Sequence, residues 1–155
     1  MARSTIPSRM AIAHHPLHPM LIHFPVAALL GLVATDLTFI FTGDAFWARA
    51  SFWLVGIGAL GGWVSGTIGL LDLLTVGAIR RLVTAWSHAL LAVLSLSLAS
   101  FNWLLRLGGD MQSWIQPWGL SLSLLTALIL SLTAMLGGQL VYEHGVGVEP
   151  EPPKG

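Results

Sequence analysis

The chain has 155 residues, 55% of them hydrophobic and 9% charged, with seven Lys/Arg balanced by seven Asp/Glu. Soluble domains carry roughly 25% charged residues, so this composition, with a mean hydropathy of +0.79, excludes a water-soluble domain and points to an integral membrane protein. Zero net charge and no basic patch argue against nucleic acid as a partner, and the absence of cysteine excludes disulfides, thiolate zinc sites, iron–sulfur clusters and c-type haem attachment.

Residues 1–18 hold Arg3, Arg9 and no apolar core of signal-peptide length, and read as a short cytoplasmic leader carrying a His/Pro motif. Residues 19–148 read as an all-α, antiparallel four-helix transmembrane bundle, and 149–155 as a disordered Gly/Pro-rich tail. Four apolar runs are predicted to span: Pro19–Thr42, Phe52–Leu74, Leu82–Leu105 and Pro117–Val141. Each run is about 23–25 residues, enough to cross roughly 30 Å of hydrocarbon as a helix. Short connections make successive helices antiparallel neighbours, and an even number of crossings puts both termini on one side. Arg3, Arg9, Arg80, Arg81 and Lys154 fall on that side, and only Arg49 and Arg106 on the other. The positive-inside rule then makes the termini cytoplasmic.

Within the first span, Pro19 suits the first helical position. Pro25 deprives the Leu21 carbonyl of its usual donor, which bends the opening motif over the bundle mouth. Asp36 lies deeper, on a different helix face from His23, and is expected to pair with Arg106 or bond Asn102 as a structural lock. In the second span Gly58, Gly62 and Gly66 recur every four residues, beside Gly61, Ser65 and Gly69. That face suits close helix packing, a homo-oligomer contact, or room for a flat cofactor.

The six histidines separate by side. His14, His15, His18 and His23 begin the first span, His88 lies one to two turns into the third, and His144 follows the fourth, so all of them fall at the cytoplasmic end. His23 shares a face with Ala27, Gly31 and Ala34, and His88 with Ala92, Ser95 and Ala99. Small-residue stripes favour the bundle interior, so His23 and His88 are expected to point inward at similar depth. Asp72, closing the second span, would orient a ligand imidazole or pair with Arg80 or Arg81.

"HPLHPMLIHFP", "GLLDLL", the "H" of "AWSHALL" and "GGQLVYEHGVGV" resemble the bacterial membrane proteins grouped as domain-of-unknown-function family 2231, over about His14 to Val148. The resemblance implies a four-helix inner-membrane protein. The matching positions are His15, His18, His23, Asp72, His88 and the Gly137–Gly138 pair. Relatives joined to redox domains lean toward electron transfer with a redox partner protein.

Three functions compete. A b-type haem for electron transfer would take axial imidazoles from His23 and His88, with His18 and His144 as a further pair and Arg80 and Arg81 holding propionates. A small transition-metal site for Zn, Cu or Fe would draw on His15, His18, His23, His88 and Asp72. A non-catalytic assembly subunit would use the glycine face. Hydrolysis is disfavoured, because no serine, histidine and carboxylate trio is suggested by the spacing.

Overall fold

The computed structural model describes residues 5–148. Arg3, Lys154 and the tail at 149–155 lie outside the described residues. A two-stranded hairpin, β1 (Ala11–Ile12) and β2 (His15–Pro16), precedes α1 (Leu17–Thr42), α2 (Ala45–Thr75), the short α3 (Gly77–Arg80), α4 (Val83–Leu107), the short α5 (Met111–Trp114) and α6 (Leu120–Tyr142). Four helices are long and apolar enough to cross a membrane.

The boundaries move where local chemistry sets them. α1 begins at Leu17, so Pro19 occupies the third helical position and not the first. α2 starts about two turns earlier than its apolar run, because the Asp44 carboxylate accepts the Phe46 N–H at 2.9 Å and caps the helix. Gly43, at φ 67°, ends α1 in the left-handed conformation that glycine adopts without penalty. Between α5 and α6 the chain breaks at Gln116, whose φ/ψ are extended, ahead of Pro117.

α1 packs chiefly on α2 and α4 chiefly on α6, while α2 also meets α4 and α1 meets α6. The four therefore stand in a square with α1 and α4 on one diagonal. Inward positions recur at seven residues, which is close to two helical turns and is the period of a coiled bundle. His18, Pro25 and Leu32 follow it on α1, and Ser51, Gly58, Ser65 and Asp72 on α2. His88, Ser95 and Asn102 follow it on α4, with Gly119, Thr126 and Thr133 on α6.

The apolar layer is Leu29, Leu32, Val55, Ala59, Ala99 and Leu130. The glycines of α2 belong to this layer. A Cβ placed on Gly58 would lie 2.6 Å from Cγ of Leu29, and one on Gly62 would collide with Leu96. Leucines from α1 and α4 thus fill the notches that glycine opens. This corrects the expectation that the Gly58/Gly62/Gly66 face is free for a second copy or a flat cofactor: Gly58 and Gly62 are buried within the bundle.

At the opposite end from the chain termini sits a fully buried ion pair. Arg106 donates through Nη1 and Nη2 to the two oxygens of Asp36, both at 2.8 Å. Its Nε bonds Asn102 at 3.0 Å, and the Ser123 hydroxyl donates to Asp36 at 2.7 Å. Asp36, Asn102, Arg106 and Ser123 are each no more than 1% exposed. The expected lock between α1 and α4 therefore forms, and it includes α6.

Candidate functional site: a histidine pair across the bundle axis

Residue 6 and residues 145–147 meet at one end of the bundle. The Ile6 N–H donates to the Gly145 carbonyl at 3.0 Å, and the Gly147 N–H returns to the Ile6 carbonyl at 2.8 Å. Residues 5–10 cross from there to Asp72, buried near the end of α2. One carboxylate oxygen of Asp72 accepts the N–H groups of Arg9 and Met10 at 2.8 and 3.0 Å. The other accepts the Ser8 hydroxyl at 2.5 Å. A buried carboxylate placed there satisfies backbone donors that have no strand or helix partner.

This corrects the two roles expected of Asp72, since its oxygens are taken up by residues 8–10 and not by an imidazole or by Arg80 and Arg81. Both arginines are exposed, and Arg80 donates to the Leu74 carbonyl. Residues 5–10 of the leader are bonded to the bundle through Asp72 and Gly145. Asp72→Ala removes an acceptor of three bonds, each charge-assisted and worth about 1.5–3 kcal/mol. Tryptic cleavage after Arg9 in detergent-solubilised protein is expected to accelerate at least ~10-fold, because cleavage follows the population of the released segment. An unchanged rate would show that Ile6 and Gly145 alone hold the segment.

Below this strap, His18 of α1 and His88 of α4 face each other across the bundle diagonal. Their ring centroids are 6.2 Å apart and their planes stand at 87°. Each ring is fixed by a neighbouring helix: Nδ1 of His18 lies 2.8 Å from the Ser65 carbonyl of α2, and Nδ1 of His88 lies 2.9 Å from the Thr133 carbonyl of α6. A carbonyl only accepts, so both Nδ1 atoms carry a proton, which leaves Nε2 as the only ring atom of each histidine that could act as a ligand. Glycines admit the rings. A Cβ on Gly69 would sit 3.0 Å from Nδ1 of His18, and one on Gly137 3.2 Å from Cε1 of His88. Gly69 and Gly137 were both named from the sequence, but not as the places against which the two rings lie.

The remaining histidines do not join the pair. His23 is exposed on the outer face of α1, together with Ala27 and Ala34, which corrects the expected His23–His88 pairing. Alanine tolerates lipid as well as protein, so a small-residue stripe alone does not define an inner face. His14 and His15 are exposed at and beside the hairpin tip, where Nδ1 of His15 bonds the Ala13 carbonyl at 2.6 Å. His144 lies past α6 in the turn leading to Gly145, its N–H bonded to the Gln139 carbonyl. Among the described residues no group of three or more His, Asp or Glu is arranged to hold a metal ion. The multi-ligand set of His15, His18, His23, His88 and Asp72 is therefore not assembled.

A family model described as "Predicted membrane protein (DUF2231)" matches residues 14–150. The chain belongs to that family. No curated protein and no solved structure matches it.

Proposed function

We propose that this DUF2231 protein holds one b-type haem between His18 and His88 and serves as an electron-transfer protein of the bacterial inner membrane, with both termini cytoplasmic. The observation that carries the reading is the pair itself, two Nδ1-anchored imidazoles 6.2 Å apart across the bundle axis. Two rings at this separation would be able to hold one metal centre between their free nitrogens. The Nδ1–carbonyl bond is also the usual outer support of a ligating histidine, fixing both its tautomer and its direction.

The donor set fits haem better than a bare ion. Zinc and related ions take three or four protein ligands, and here two imidazoles converge. Haem would supply one-electron chemistry at the iron. His18 and His88 would hold the group from diagonal helices, and Gly69 and Gly137 let the two rings lie directly against α2 and α6. Arg80 and Arg81 are exposed at the same end and would be the cations available to propionate carboxylates.

The test is a visible spectrum of protein purified in detergent, oxidised and then reduced with dithionite. The expected result is a Soret band with sharpened bands on reduction, at one haem per chain. A colourless protein with stoichiometric metal by elemental analysis would replace haem with an ion. A colourless, metal-free protein would leave the assembly-subunit reading.

A further inference from the structure

We propose that Ser95 and Thr126 hold a trapped water molecule at the middle of the membrane span, between α4 and α6. The site is independent of any cofactor. Both hydroxyls are 1% exposed, and neither has a hydrogen-bond partner. Other hydroxyls described in the spans have partners, on their own helix or across the bundle: Thr133 donates to the Ile129 carbonyl, Ser100 to Leu96, Ser131 to Ala127 and Thr67 to Trp63, while Ser51 donates to Thr35 and Ser123 to Asp36. Ser95 and Thr126 do not, although the carbonyls of Leu91 and Leu122 stand one turn back.

Register places the two side by side. α4 and α6 run antiparallel, with His88 bonded to Thr133 at one level and Asn102 bonded to Gly119 at another. Ser95 is seven residues from both His88 and Asn102, and Thr126 is seven from both Thr133 and Gly119. Two turns along each helix from either contact bring these two hydroxyls to the same level of the same seam. They do not bond each other directly. In hydrocarbon an unpaired hydroxyl has no bulk solvent to turn to. Buried water is the usual partner of such groups, and a site with two convergent hydroxyls meets its minimum requirement. The third buried orphan, Nε1 of Trp103, packs over Gly56 of α2 and is a separate matter.

Water is the occupant of choice because apolar side chains flank the two hydroxyls: Leu29, Leu96 and Leu130 are buried at this depth, and they offer a larger polar molecule no partner. A water here makes the α4–α6 seam polar from the histidine pair to the Asp36–Arg106 lock, while the α1–α2 side keeps its leucine–glycine packing.

The experiment is infrared difference spectroscopy of nanodisc-embedded protein in H2-16-O and H2-18-O. The wild type is expected to show a narrow O–H stretching band that shifts with the oxygen isotope. Ser95→Ala and Thr126→Val should each abolish it, and Thr126→Ser, which keeps the hydroxyl, should retain it. A band that survives both hydroxyl deletions, or no isotope-sensitive band in the wild type, overturns the proposal. Should the deletions fail to fold, a density map of the wild type decides. A peak between residues 95 and 126 supports the site. Hydroxyls turned onto Leu91 and Leu122, with no peak, overturn it.

Discussion

Replacing Arg106 with alanine is expected to cost about 3–5 kcal/mol, the usual penalty for stripping one partner from a buried ion pair. The side chains of Arg106 and Asp36 are both 0% exposed. Without the guanidinium, Asp36 keeps only the Ser123 hydroxyl as a donor. The variant should unfold at much lower denaturant in mixed-micelle titrations followed by helix signal. The paired change Asp36→Leu with Arg106→Met should recover most of the loss, because well-packed apolar residues often replace a buried pair without penalty. An Arg106→Ala protein as stable as the wild type would mean that the leucine–glycine layer alone holds α1 against α4 and α6. The site with the clearest geometry in the bundle is thus assigned to architecture. The two opposite charges are met by each other and by Asn102 and Ser123.

That lock was legible in the sequence, and so were the four spans and the meeting of the termini. Each follows from rules that hold along a single helix or loop. Asp36 and Arg106 are charges at matching depth in antiparallel spans, and lipid gives them no other partner. The histidine pairing was read from the wrong cue. Asp36 lies 13 residues from His23, which on a 3.6-residue helix is well round the other side. It lies 18 residues from His18, five whole turns, and so on the same face. Once Asp36 is committed to the interior, His18 must follow it and His23 must face outward.

On α4 the small-residue stripe with His88, Ser95 and Ala99 does face inward, but on α1 it gave the opposite answer, because size does not distinguish lipid from protein contact, whereas charge does. The role of Asp72 was hidden for a different reason. Its partners are backbone N–H groups of residues 9 and 10, and no residue type advertises an unpaired backbone donor. The glycine face was legible as a surface for close helix packing, but the leucines that fill it were not, since a notch and its leucine lie on different helices.

His18→Ala and His88→Ala are each expected to abolish cofactor retention, while His23→Ala leaves it intact. Losing the hydrogen bond that supports a ligand costs roughly 10–100-fold in affinity, and losing an axial nitrogen itself should exceed that. The purified single variants should therefore be bleached, if the pair holds haem as proposed. His23 provides the internal control. It has the same chemistry, sits five residues from His18, and is exposed on the outer face of α1, so its removal tests position and not imidazole content. Gly137→Ala gives a graded version of the same test. The new methyl would press on Cε1 of His88 from 3.2 Å, tilting a ring that the Thr133 carbonyl holds in place, so lowered occupancy with a perturbed reduced spectrum is expected. Full haem in both His18→Ala and His88→Ala would reduce the pair to a tie between diagonal helices. Bleaching in His23→Ala alone would return the ligand to the outer face of α1, where the bundle offers it no opposing imidazole.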